Sequence, residues 1–92
     1  MNRAADNPTI SPGNRVRPAF IRRMEGELQA NHASKGDWTT WRPDADQLLS
    51  ELDHHVIKLR TALACSDKPG ISEYSADIAN IAMKASEVLG AD

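Results

Sequence analysis

The sequence predicts an all-α protein, an antiparallel helical bundle of about three main helices completed by other copies of the chain. Three observations lead there. Apolar residues recur at spacings of three and four in three stretches. Pro and Gly punctuate the chain between those stretches. Nowhere do apolar and polar residues alternate as they do in a half-buried strand. The chain has 92 residues and one cysteine, Cys65, so neither an internal disulfide nor a visible zinc motif stiffens it. A domain this small buries a modest share of its surface, which favours association with other subunits.

Residues 1–14 hold Pro8, Pro12 and Gly13 among small polar residues without any period, and read as a flexible tail. Pro18 suits the first turn of a helix. Phe20, Ile21, Met24 and Leu28 then share one side, extending that helix to about Ala33, with Gly26 weakening it slightly. Residues 34–43 form a connecting loop whose two tryptophans, Trp38 and Trp41, are costly to leave in water and should pack on something. A second helix starts after Pro43, with Asp44 and Asp46 at its positive end. Leu48, Leu49, Leu52, Val56, Leu59 and Leu63 are its apolar stripe, and it ends near Cys65. Asp67-Lys68-Pro69-Gly70 reads as a turn, and Ser72 as the N-cap of a third helix that stops at Gly90.

Charge narrows the function classes. The net charge of −2 removes the electrostatic drive of a general nucleic-acid binder, so no nucleic-acid partner is expected. No charged-then-apolar leader and no apolar run of roughly 18 residues is visible, which points to a cytoplasmic chain without a membrane partner. The charge is also uneven. Residues 1–42 carry seven basic against four acidic side chains, an excess of +3, and the remainder runs to −5. Such a division suits a divalent cation held together with an anionic ligand, or ordinary pairing between subunits.

The third helix carries a telling polar line. Glu73, Asp77, Asn80, Lys84 and Glu87 fall within roughly 40° of one direction at about 100° per residue. Apolar residues flank the line on both sides: Tyr74, Ile78, Ile81, Ala85, Val88 and Leu89 on one, Ala76, Ala79 and Met83 on the other. Burying both flanks draws the line toward a cleft, whereas a solvated edge would leave it in water. On the second helix Asp44, Glu51, His55 and Lys58 form a comparable stripe, with Gln47 and His54 near its other margin. The i,i+4 pairs Glu51/His55 and Glu73/Asp77 each place two side chains on consecutive turns of one surface. On antiparallel neighbours they form one candidate metal set. Its oxygen-rich composition favours Mg²⁺ or Mn²⁺, and the single imidazole brings Mn²⁺, or Zn²⁺, further into range. The structural alternative is that the acids are those of ordinary solvated helices and His55 a surface or satisfied core residue.

Lys58, one turn after His55, and Lys35 beside Gly36 are placed to meet phosphate, although the remaining glycines and the Ser or Thr of a P-loop are missing. Trp38 and Trp41 either stack on a base or close a hydrophobic core. Cys65 has no partner suggesting an activated nucleophile, and no Ser, His and Asp form a nucleophile elbow.

Several segments carry a family resemblance. They are Phe20-x-x-x-Met24-x-x-x-Leu28-x-x-Asn31, Lys35-Gly36-Asp37-Trp38, Leu48-Leu49-x-x-Leu52, Leu59-x-x-Ala62-Leu63 and Ala76-Asp77-Ile78-Ala79-Asn80-Ile81-Ala82-Met83. Together they resemble small MazG-like proteins, often phage-encoded, among the all-α nucleoside triphosphate pyrophosphohydrolases. The resemblance spans residues 16–89 and makes residues 15–92 a MazG-like helical domain. It implies a dimer or tetramer, Mg²⁺ (or Mn²⁺) held by carboxylates of two helices, and cleavage of a nucleoside triphosphate to the monophosphate and pyrophosphate.

The metal motifs depart from the family pattern. His55 and Lys58 stand at the positions of the usual Glu-x-x-Glu, and Tyr74 stands where the second motif, Glu-x-x-Asp, has its first acid. Glu51 and Glu73 are the acids available to take over. The resulting expectation has Glu51, His55, Glu73 and Asp77 on the metal, Glu51 and Asp77 being catalytic. Lys35 and Lys58 contact phosphate, Asn80 orients a ligand or a carboxylate, and Asn31 and Trp38 contact base or sugar. Two alternatives follow from the departures. One is a catalytically degenerate protein that binds or sequesters a nucleotide, and the other a helical protein-interaction module. If phage-encoded, the chain would work in the host cytoplasm.

Overall fold

In the computed structural model of the chain, residues 9–90 are described, apart from the Lys35 side chain. Residues 1–8 of the expected tail lie outside that range. All regular structure among the described residues is helical: α1 (Pro18–Ala30), the short α2 (His32–Lys35), α3 (Ala45–Ala64) and α4 (Lys68–Leu89), with 3-10 turns at Pro12–Asn14 and Trp38–Thr40. The all-α expectation with three main helices holds.

Each helix begins for a local reason. Pro18 opens α1, where its missing N–H removes no bond. Asp44 caps α3 in a reciprocal box: its carboxylate accepts from the Gln47 N–H at 2.8 Å, and the Gln47 side chain accepts from the Asp44 N–H at 2.8 Å. The start of α4 differs from the expected one. Asp67, not Ser72, is the N-cap, accepting from the Gly70 N–H at 3.1 Å. Pro69 therefore lies in the first turn, where a helix tolerates proline, and not in a break before the helix.

The tail end of α1 also differs. The helix closes at Asn31, whose N–H donates to the Glu27 carbonyl at 3.1 Å, and α2 follows directly instead of one helix reaching Ala33. Gly36 then reverses the chain at φ +74°, a conformation that costs glycine little. The expected 34–43 loop thus contains the end of α2 and a 3-10 turn capped by Asp37, which accepts from the Thr39 N–H at 2.8 Å.

Helix α4 is the centre of the bundle and packs against both α3 and α1. The buried apolar side chains are small or few: Leu48 and Ala62 on α3, Ala76 and Ile81 on α4. Polar residues fill part of the interior. Asp77, Asn80 and Lys84 are at most 8% exposed, so the middle of the polar line on α4 is its buried seam, with Glu73 and Glu87 emerging at the ends. None of the described helices is long and apolar enough to cross a membrane.

Candidate functional site

Two features meet at Asp77. The first is a carboxylate cluster in which Glu27 of α1 joins Glu73 and Asp77 of α4, with one oxygen from each within 4.8 Å of the others. The second is a cleft of about 280 Å³ whose lining includes Asp77, Asn80, Glu51, His55, Trp38 and Asn31. Asp77 belongs to both.

The seam between α1 and α4 explains the cluster. Met24, Glu27 and Leu28 lie on the inward side of α1, all half-buried. The Asn80 amide donates to the Met24 carbonyl at 2.9 Å and fastens the two helices one turn from the acids. Burial, then the charges of Asp77 and Glu73, push the Glu27 carboxyl above its ordinary 4.5, against the opposing pull of Arg23. A site that raises a carboxyl in this way favours either a shared proton or a cation.

His55 faces the same acid from α3. Its Nε2 lies 3.5 Å from Asp77 Oδ2, while Nδ1 is 2.9 Å from the Glu51 carbonyl oxygen. A carbonyl only accepts, so this contact is a hydrogen bond when Nδ1 carries the proton, and Nε2 is turned toward Asp77. A backbone carbonyl holding one nitrogen so that the other is presented is the usual support for a ligating imidazole.

A tryptophan wall closes one side of the cleft. Trp38 and Trp41 lie 5.5 Å apart, tilted by 53°, and Trp38 rests on the buried Lys84, whose Nζ is 4.4 Å from its ring centroid. The Lys84 ammonium donates to the Trp38 carbonyl at 2.6 Å and pairs with Glu87 at 3.4 Å. Glu87 in turn accepts from the Trp38 indole N–H at 3.2 Å. The tryptophans therefore pack on a lysine of the polar seam, which satisfies that buried charge and fixes the wall.

The expected site residues are divided by the structure. Glu73 and Asp77 come together with Glu27, while His55 approaches Asp77 from the opposite helix. Glu51, Asn31, Trp38 and Asn80 line the cleft, but Glu51 is outside the carboxylate cluster. Its backbone orients His55. Lys58 lies elsewhere, its Nζ 5.5 Å from the Tyr74 ring centroid, beside a separate hollow shared with Tyr74 and Asp67. The Lys35 side chain is outside the described residues.

Glu27 is the acid that the spacing of acids within α3 and α4 does not reveal. It follows Met24 by three residues and precedes Leu28 by one, so its place on the apolar side of α1 is the available signal. Lys84 was visible as a member of the polar line. Its function as the support of a loop 46 residues away was not.

No family model, curated protein or solved structure matches the chain.

Proposed function

We propose that the chain is a metal-dependent nucleoside triphosphate pyrophosphohydrolase, converting a nucleoside triphosphate to the monophosphate and pyrophosphate. The observation that carries this reading is the convergence of Glu27, Glu73 and Asp77 with the His55 Nε2 beside a cleft walled by two tryptophans. Choice of the bond cleaved comes from the MazG-like resemblance.

The donor set fits a hard divalent cation. Three carboxylates offer the oxygen ligands that Mg²⁺ and Mn²⁺ prefer, and the His55 Nε2 beside Asp77 is a nitrogen that Mn²⁺ accepts more readily than Mg²⁺. When bound, such a cation supplies charge to phosphate oxygens and acidifies water. Glu27, Glu73 and Asp77 would hold it, with His55 completing the set.

The chain's own residues supply the remainder. Trp38 and Trp41 offer flat faces to a base. Asn31 and Asn80 bring amides to the cleft, and the buried Asn80 Oδ1 has no donor among the described residues, so an N–H group of a ligand can satisfy it. Among the described lining residues the basic side chains are His54 and His55, so neutralising a triphosphate falls to cations.

The nucleotide-sequestering reading draws on a different observation. Helix α3 places an imidazole beside Asp77 but no carboxylate in the cluster, which suits retention of a ligand with weakened turnover. We place the protein in the cytoplasm, the host's if phage-encoded, and propose that it works as a homo-oligomer.

The test is one incubation of the protein with a mixed panel of nucleotides and Mg²⁺ or Mn²⁺, followed by chromatography of free and retained nucleotide. Monophosphate and pyrophosphate that disappear in Asp77→Ala support the hydrolase. Intact nucleotide retained by the protein supports sequestration. No change in either fraction overturns both and favours a protein partner.

A further inference from the structure

Helix α3 has an apolar face that the fold leaves uncovered. It packs on α4 and buries or half-buries Leu48, Leu52, Leu59 and Ala62, yet Leu49 and Leu63 are each 56% exposed and Ile57 is 62% exposed. At about 100° per residue, Leu49, Asp53, Val56, Arg60 and Leu63 lie within roughly 40° of one line. Leu49, Val56 and Leu63 recur every seven residues, with Leu52 and Leu59 beside them. This is the seam spacing of a helix that meets a second helix.

The charges on the seam choose the partner. Asp53 and Arg60 are both exposed, and neither side chain takes part in an ion pair or hydrogen bond among the described residues. In a parallel, in-register pair of α3 helices each would face its own kind. In an antiparallel pair related by a two-fold axis between Val56 and Ile57, Asp53 of each copy faces Arg60 of the other. Both charges are then matched twice by a single symmetry operation, as an isologous interface requires. The face complements itself in one direction only.

We infer that the uncovered face of α3 binds the same face of a second copy of this chain, antiparallel and two-fold symmetric, with Asp53 and Arg60 fixing the direction. This rests on the homo-oligomer proposed above and adds where, and in which orientation, the copies meet. Glu51 and His55 project from the other side of α3 into the cleft, so pairing leaves the cleft open. The apolar seam supplies the attraction, and the thin interior of the monomer, built on Leu48, Ala62, Ala76 and Ile81, explains the need for it.

The experiment is light scattering with sedimentation on the full chain, over a concentration series, for the wild type, Asp53→Arg, Arg60→Asp and the double inversion. A wild-type dimer is expected. Each single inversion sets like charges opposite one another and weakens the dimer by about tenfold or more, whereas the double inversion returns it to within about threefold of wild type. Leu63→Glu yields a monomer whose helical circular dichroism is unchanged. A monomeric wild type overturns both this interface and the homo-oligomer. A wild-type oligomer indifferent to the single inversions, or one that the double inversion fails to restore, overturns this interface while the homo-oligomer stands. Nucleotide turnover, read on the same samples, reports separately on the cleft.

Discussion

Glu27 and Asp77 bring two carboxylates together from helices that begin 50 residues apart, one on α1 and one on α4. Burial, followed by the charges of Asp77 and Glu73, holds the Glu27 carboxyl above 4.5. The fold therefore bears a repulsion that a cation or a proton would relieve.

Glu27→Gln separates those two demands. Removing one like charge stabilises the cation-free chain by about 0.5–1 kcal/mol, the scale of a relieved surface repulsion. The same change weakens Mn²⁺ binding by about tenfold or more, since one of three carboxylates is lost. Thermal unfolding and calorimetric titration with Mn²⁺ check the two signs. A variant that is less stable and binds Mn²⁺ as well as wild type would contradict the assignment.

The pH dependence follows from the direction of the Glu27 shift. The native state holds this proton more tightly than the unfolded chain, so between 4.5 and the raised native value it binds more protons. Its contribution to stability consequently increases as pH falls through the raised value and declines as pH rises across that window. Asp37 has the opposite sign. Hydrogen bonds from Thr39 lower its carboxyl below 3.8, and that contribution is lost as pH falls below 3.8. Urea titrations of wild type and Glu27→Gln across pH 4–7 isolate the first effect, because the variant lacks it. A cation held by Glu27, as proposed, would reverse that preference, and Mn²⁺ binding at the lower end of the window is then expected to release a proton.

Lys84→Met tests the support of the tryptophan wall. The substitution preserves volume but removes the bond to the Trp38 carbonyl and the charge above its ring. A loss of about 1–3 kcal/mol is expected. Glu87 is half exposed and is left in water, not stranded. Amide exchange should accelerate at residues 37–41 before α3 or α4 is affected, and uniform acceleration across the chain would argue against a local support.

The α3–α4 turn gives a pair of opposite effects. Ser66 is left-handed at φ +54°, so Ser66→Gly is expected to stabilise by about 0.5–1 kcal/mol. Gly70 lies inside α4, where alanine ordinarily favours a helix. A Cβ there runs into the Asp67 carboxylate that caps the helix and lies 3.3 Å from Ala62 Cβ. Gly70→Ala should therefore destabilise by about 1 kcal/mol, the cost of a lost cap. Chemical denaturation of the two variants beside wild type decides both.

These elements show how far the sequence could be read. Helix α3 was legible from its leucines and from Asp44, because capping and amphipathic spacing are local. The start of α4 is not legible in the same way, because Pro69 and Gly70 signal a turn as readily as a first helical turn, and the Asp67 cap decides between them. The polar line of α4 was legible as a line, and its apolar flanks correctly pointed inward. Its partners were not: the approach of Glu27 and the seat of Trp38 on Lys84 depend on how α1 and the loop cross α4, and no periodicity within one segment encodes that crossing.

Both tryptophans of the chain, Trp38 and Trp41, belong to the wall of one cleft. The tryptophan emission of the protein, separable from that of Tyr74 by excitation at the red edge, thus originates at that wall, beside a buried ammonium that polarises one of the indoles. A ligand entering the cleft should quench or shift the whole signal, while events at the far face of α3 leave it unaltered. The molecule carries its own optical reporter, at the place where its chemistry is proposed and nowhere else.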